Sequence, residues 1–411
     1  MRSFIRFSAR LVSCCALVVS LSLVVGVATS AGKVLPSFGA LPAPSLFGIN
    51  TGTYDKSVAR FHRDIPTAAG LGARWVHFAA HVGASGKPSF PLLDYEVTQA
   101  RRHHLGVLMS FGGPPCSHGS KAAVCPPTTT GALARYTSFM RSVLLRYHND
   151  VQYWESWVEP NLNGEWGGRV NPGQYANLLQ TEWQTIQAFN GKYHTSMKLL
   201  FGGTISFSTG PGGTSMAVLP FIHQVLDDLH GARVFDAVGL HAYRFPHANS
   251  GPATEDWGPS AVDYDYVGGI PNAPGAAGPY PSAGCSRVFG GYCQMNWRGE
   301  LTAVEQEFAN HGYGQMPLWM TEFGWPGNAN PTTALYPSFA TQAANLSNAY
   351  NVLLGLPFVQ AAFWFNLRDY TPGIVSPDPP FFYHFGLVEN GFGQKPAGAA
   401  FKSLAAANPG R

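Results

Sequence analysis

The chain has 411 residues, of which 12% are charged and 13% aromatic. Its formal net charge is +3, and Arg2, Arg6 and Arg10 account for all of it, so the chain beyond residue 31 is near neutral. Such a balance argues against nucleic acid or an anionic membrane as partner and suits a neutral, ring-shaped ligand.

Residues 1–31 read as a secretory signal peptide. Three arginines precede an apolar stretch from Leu11 to Val27, and Ala28 to Ala31 offers small residues for cleavage. The expectation is a secreted, extracellular or cell-envelope protein, cleaved near Ala31 and free of the membrane afterwards. An uncleaved anchor is the alternative, for which the apolar run is just short of a comfortable span. Residues 32–45 form an extended Pro/Gly/Ala lead-in, and 46–411 read as one domain.

From there short apolar runs alternate with helix-like segments. The predicted strands are Leu46–Asn50, Arg74–Phe78, Gly106–Phe111, Val151–Trp157, Lys198–Gly202, Phe235–His241, Pro317–Glu322 and Val359–Asn366. Their near-continuous apolar character is that of strands buried on both faces. The predicted helices begin near Asp55 or Lys56, then at Asp94 as a possible cap, Ala132, Pro172, Ser215, Arg298, Ser338 and Pro396. Eight strand–helix repeats point to a single (β/α)8 TIM barrel of the α/β class. An open doubly wound sheet is the runner-up, but no Gly-rich phosphate fingerprint follows the first strand.

The connection after strand six, from Arg244 to about Trp297, is long and rich in Gly, Pro and Tyr. It reads as a wall or lid over the barrel mouth, with a plain surface insertion as the alternative. Once Cys14 and Cys15 leave with the signal, the cysteines are Cys116, Cys125, Cys285 and Cys293. In an exported chain they read as disulfides pinning loops. Three connectivities are possible, and the local pairs, Cys116 with Cys125 and Cys285 with Cys293, are preferred. Neither pair has tight CxxC spacing or nearby His ligands, and no metal or other cofactor is expected.

Active sites of such barrels lie at the C-terminal strand ends. Read in order these ends offer Asn50, His77, Ser110, Glu159, His241 with Tyr243, Glu322 and Asn366. Two glutamates thus end strands four and seven, within Trp154-Glu155-Ser156-Trp157-Val158-Glu159-Pro160-Asn161 and Trp319-Met320-Thr321-Glu322-Phe323-Gly324-Trp325. Two carboxylates flanked by aromatics are the parts for glycosidic cleavage, one protonating the leaving oxygen and the other attacking the anomeric carbon. Trp157 and Trp325 serve equally well as packing or as sugar platforms. Glu155 alternates with Glu159 and is expected inside the barrel, paired with a base such as Arg74.

These motifs resemble glycoside hydrolase clan A, and in particular the β-glycosidases of family 39, over residues 46 to about 405. The ending from Phe385-Gly386-Leu387 to Gln394-Lys395-Pro396 and Phe401 is similar to the closing segment of such domains. The resemblance implies a retaining O-glycosyl hydrolase with Glu159 as acid/base and Glu322 as nucleophile. It further implies that Tyr243 contacts the nucleophile, His241 lines the site, Trp364 floors the sugar subsite and Arg74 neighbours the nucleophile. The substrate would be a glycoside, oligosaccharide or polysaccharide, and the enzyme a monomer. One position departs from the family pattern: where the family has Asn directly before the acid/base Glu, bonding the sugar 2-hydroxyl, this chain has Val158. Asn161 or Asn366 could supply that contact. A carbohydrate-binding pseudoenzyme on the same barrel is the rival reading.

Overall fold

The computed structural model describes residues 42–51, 58–81, 90–118, 121–206, 215–243, 287–289, 292–294, 297–314, 316–329, 337–370 and 383–411. The expected signal segment, most of the lead-in and most of the long connection lie outside them. So do Cys285 and the side chains of Cys116 and Cys293. Among the described residues no helix is long and apolar enough to cross a membrane.

Eight strands close into a parallel barrel in sequence order: β1 (Gly48–Asn50), β2 (Trp75–His81), β3 (Gly106–Gly112), β4 (Tyr153–Ser156), β5 (Lys198–Ile205), β6 (Ala237–His241), β7 (Leu318–Phe323) and β8 (Val359–Trp364), which pairs back to β1. Among the described residues eight helices alternate with them: α1 (Val58–Gly70), α2 (Phe90–Arg102), α3 (Thr130–Tyr147), α4 (Pro172–Tyr193), α5 (Val218–Leu229), α6 (Trp297–Asn310), α7 (Phe339–Leu354) and α8 (Pro396–Ala407). Two hairpins are added, Pro115–His118 with Lys121–Val124, and Arg287–Phe289 with Tyr292–Gln294. The (β/α)8 architecture is therefore as the alternation of the sequence predicts.

Helix boundaries differ from expectation in instructive ways. Asp94 is not a cap: α2 starts at Phe90. The Asp94 carboxylate instead accepts hydrogen bonds from Arg146 (2.5 Å) and Tyr147 (2.8 Å) on α3. Pro172 does open α4, but the cap is Asn171, whose side chain accepts from the Gln174 N–H.

The barrel interior is layered because side chains alternate along each strand. One layer is apolar and aromatic: Trp75, Tyr153, Trp319 and Phe363 interlock with ring centroids 4.6–6.2 Å apart, beside Leu108, Leu200, Ala237 and Ala361. The next residue of inward parity on several strands is polar: His77 on β2, Ser110 on β3 and Glu155 on β4. Glu155 is fully buried. Its Oε2 accepts from the Ser110 hydroxyl (2.6 Å) and lies 3.2 Å from His77 Nε2, and its Oε1 accepts from the Gly203 N–H (3.1 Å).

This corrects the pairing of Glu155 with Arg74. Arg74 precedes β2, so it stands at the opposite end of the barrel from the strand C-termini. Its guanidinium donates to the carbonyls of Ala405, Asn408 and Arg411 at 2.8–3.0 Å, tying the end of the chain to the barrel base. It reaches neither Glu155 nor the mouth, and the base beside Glu155 is His77.

Candidate active site

Glu159 stands three residues beyond β4, on backbone that leaves the strand abruptly. Trp157 and Glu159 both adopt left-handed conformations, with φ of +52° and +48°. Each costs an L-residue roughly 1–2 kcal/mol. The turn is held by hydrogen bonds from Glu159 N–H to the Gly203 carbonyl and from Leu162 N–H to the Glu159 carbonyl, both 2.9 Å, while Val158 bridges Gly203. Reversing φ turns the Trp157 ring away from the mouth. It is buried against Tyr136 and Trp166, and its Nε1–H donates to the Glu165 carbonyl (2.8 Å).

Glu322 reaches the same space by an irregularity of β7. The register against β6 shifts between Met320 and Glu322, which brings Glu322 level with His241. A similar shift in β5 falls at Gly202 and Gly203. No side chain fits at either: a Cβ on Gly202 would lie 1.8 Å from the Ser156 carbonyl oxygen, and one on Gly203 2.2 Å from His241 Nε2. The glycine pair lets β4 and the His241 ring approach β5 closely.

The result is a compact pair of carboxylates. His241 Nδ1 lies 3.0 Å from Glu159 Oε1 and 3.6 Å from Glu322 Oε2, and Tyr243 donates its hydroxyl to Glu322 Oε2 at 2.8 Å. One oxygen of each glutamate and a nitrogen of His241 lie within 4.8 Å of one another. The two carboxylate side chains are 14% and 16% exposed, so each is largely buried yet open to a ligand.

The electrostatics follow from burial and proximity. Burial pushes the Glu322 carboxyl up and the Glu159 charge adds to it, while His241, His77 and the Tyr243 hydrogen bond pull it down; the net direction is upward. Burial pushes His241 down, against the pull of Glu322 and Glu155, which leaves a neutral imidazole at neutral pH. Burial and the Glu322 charge raise the Tyr243 hydroxyl well above 10, so it remains a hydrogen-bond donor. A neutral imidazole can serve Glu159 in both protonation states, donating from Nδ1 to the carboxylate or accepting there from the acid.

The other predicted residues divide between the mouth and the scaffold. His77 is buried beneath it, with Nδ1 3.2 Å from the Thr321 carbonyl oxygen. Asn161 is fully buried and committed: its amide donates to the carbonyls of Ile205 and Met216 and accepts from the Ile205 N–H, at 2.8–2.9 Å. It locks the loop after β4, and both of its amide hydrogens are committed. Val158 is half-buried beside Gly203. Trp325 and Trp364 are fully buried, 6.0 Å apart, and pack on Phe323. The Trp364 Nε1–H donates to the Phe385 carbonyl (3.0 Å). Trp364 therefore floors no subsite. Asn366 is buried, and neither atom of its amide has a partner among the described residues.

The residue that sequence reasoning passed over is Phe365. It is half-buried and set edge-on to Tyr243, 5.9 Å between centroids, with Phe385 and Tyr370 around it. Period two would have found it: Ala361 and Phe363 point into the barrel, so Phe365 follows them and Trp364 faces out.

No protein-family model matches the chain, and no curated relative does. Solved structures do. A family 39 glycoside hydrolase from the gut symbiont Bacteroides cellulosilyticus WH2 aligns with a TM-score of 0.57 at 17% identity, over 89% of this chain and 64% of that one. A monomeric beta-xylosidase from Caulobacter crescentus CB15 aligns at 0.55 and 18%, over 89% and 69%. A glucosidase from Croceicoccus marinus aligns at 0.56 and 13%, over 89% and 68%. The chain thus spans 64% of the length of the first. At these identities the likeness is one of fold.

Proposed function

We propose that the chain is a retaining O-glycosyl hydrolase acting on a β-glycoside, with Glu322 as nucleophile and Glu159 as general acid/base. The observation that carries this is the spacing of the two carboxylates. One oxygen of each carboxylate lies within 4.8 Å of one of the other's. Inverting enzymes hold a water between carboxyls roughly 6.5–9.5 Å apart, whereas retaining enzymes keep their carboxyls about 5–5.5 Å apart. The fold, shared with a family 39 glycoside hydrolase, a xylosidase and a glucosidase, supports a carbohydrate substrate.

In the first step Glu322 forms a bond to the anomeric carbon as the bond to the leaving oxygen breaks, and Glu159 gives that oxygen its proton. In the second, Glu159 takes a proton from water, which attacks the anomeric carbon and releases Glu322. Tyr243 holds Glu322 in line, and His241 holds Glu159. Phe365 presents an apolar ring edge or face where a sugar would sit. Purified protein tested on a panel of aryl β-glycosides, with the first-formed anomer read by NMR, should give product of retained configuration. An inverted product would overturn the mechanism, and absence of turnover with measurable sugar binding would favour the pseudoenzyme. Val158→Asn bears on the same choice: in a working site lacking the 2-hydroxyl contact it should raise kcat/KM by about tenfold or more.

The pH profile tests the electrostatics. Glu322 must be ionised to attack, and its carboxyl is pushed above the ordinary 4.5 by burial and by Glu159. Activity is therefore present above that raised value and lost as pH falls through it. The acidic limb of kcat/KM is expected above pH 4.5, and a limb at or below it would contradict the assignment.

Export, signal cleavage near Ala31, a monomeric state and the local disulfide pairs belong to the same proposal. The Cys116–Cys125 pairing is supported by the hairpin backbone, where Cys125 N–H donates to the Pro114 carbonyl (3.0 Å). Non-reducing peptide mapping of secreted protein reads the new N-terminus and the pairs together. Monomeric behaviour is supported by a xylosidase of like fold described as monomeric.

A further inference from the structure

Regular pairing between β4 and β5 stops at Glu155 opposite Leu200 and returns only at Val158 opposite Gly203. In the gap the backbone reverses at Trp157, two residues before Glu159. A side chain stands in for the ladder there. The Tyr175 hydroxyl, on α4, accepts from the Gly202 N–H (2.7 Å) and donates to the Ser156 carbonyl (3.5 Å). Tyr175 is fully buried, with its ring against Trp166, Phe201 and Phe221 at centroid distances of 5.2–5.7 Å. Burial pushes the hydroxyl above its ordinary 10, so it keeps its proton.

This clip reaches Glu159 through one dipeptide. Tyr175 holds the Gly202 N–H, the Glu155 carboxylate holds the Gly203 N–H (3.1 Å), and the Gly203 carbonyl accepts from the Glu159 N–H (2.9 Å). Neither glycine has room for a Cβ, so support for the gap has to come from outside the strand. We propose that Tyr175 is a positioning residue for the general acid/base: its hydroxyl ties Ser156 to Gly202 so that the strained turn presents the Glu159 carboxyl to the leaving-group oxygen. The proposal rests on the reading of Glu159 as acid/base. Removing the hydroxyl leaves the buried Gly202 N–H without its partner. The turn, which holds φ of +52° at Trp157 and +48° at Glu159, is then free to relax. A displacement of about 1 Å at a catalytic group costs on the order of 100-fold in rate.

Tyr175→Phe keeps the ring and removes only the hydroxyl. The measurement is kcat/KM on β-glycosides of the sugar that the wild type turns over best. The aglycones run from dinitrophenol, which leaves without a proton, to phenol and methanol, which need one. Tyr175→Phe should lose about tenfold or more with the phenyl and methyl glycosides and stay within about twofold of wild type with the dinitrophenyl glycoside. Glu159→Ala should show the same pattern more steeply. Phe221→Leu, which loosens the packing around the Tyr175 ring and leaves the hydroxyl in place, should lower the Tm and leave the dependence on aglycone unchanged. Three results would overturn the positioning role while the acid/base reading stands on Glu159→Ala: a uniform loss across aglycones in Tyr175→Phe, wild-type values throughout, or the same steepening in Phe221→Leu. No steepening in Glu159→Ala, or no turnover by the wild type, would instead remove the acid/base reading and this role with it.

Discussion

Glu322→Ala is expected to lower kcat by about 10^4-fold or more, equivalent to roughly 5 kcal/mol or more of barrier. The carboxylate is the only group placed to form the covalent intermediate in the proposed mechanism, and removing it closes that route while leaving the fold intact. Glu322 packs nothing essential: its side chain is partly exposed and accepts a hydrogen bond from the Tyr243 hydroxyl. The stronger test is the anomer. With azide present, Glu322→Ala should regain turnover, because the small anion enters the space the carboxylate vacated and attacks from the same side. The glycosyl azide formed should have the configuration opposite to the substrate. Glu159→Ala should instead give azide of retained configuration, since there the anion attacks the covalent intermediate. Equal residual activity in both variants and the wild type, or the same anomer from both, would remove Glu322 from its role.

Glu155→Ala should destabilise the fold by about 3–5 kcal/mol, because it leaves a buried cation without its counter-ion. Burial pushes His77 down, but the hydrogen bond and charge of Glu155 outweigh it, and the imidazole ends above its ordinary 6.5. Burial pushes Glu155 up, but its contacts with His77 and Ser110 and the nearby His241 outweigh it, and the carboxyl ends below 4.5. The signs define a window. The raised His77 contributes stability fully below pH 6.5, lost as pH rises through its folded value. The depressed Glu155 contributes stability fully above pH 4.5, lost as pH falls through its folded value. Urea unfolding of the wild type should therefore show the contribution of this pair on a plateau between about pH 4.5 and 6.5. Glu155→Ala should flatten that plateau and Glu155→Gln should lower it in part, keeping the Ser110 contact without the charge. Wild-type stability and pH dependence in Glu155→Ala would show that the pair is worth nothing to the fold.

The barrel was legible because each buried strand is a near-continuous apolar run, and alternation with helices leaves few other architectures. The glutamates were legible because a carboxylate at the end of such a run has no reason of packing to be there. Residues one place along the same strands were not. Trp157 and Glu159 are two apart and would share a face by period two, yet a reversed φ sends the ring outward to Tyr136 and Trp166. The family resemblance points to Trp364, whereas strand parity turns Phe365 inward. Asn161 offered an amide near the site, but the carbonyls of Ile205 and Met216, 44 and 55 residues away, claim it. Arg74 belongs to the right strand and the wrong end of it.

What the sequence determined by itself is thus the repeat, the barrel and the two strand ends that bear carboxylates, all set by local hydrophobic pattern. What only the tertiary structure decided is which side chains turn into the mouth. A one-residue bulge or a single positive φ moves a side chain to the other face. At β4, β5 and β7 those irregularities depend on neighbouring strands, on glycines that admit a close approach and on hydrogen bonds to distant carbonyls, none of which is encoded within the strand itself.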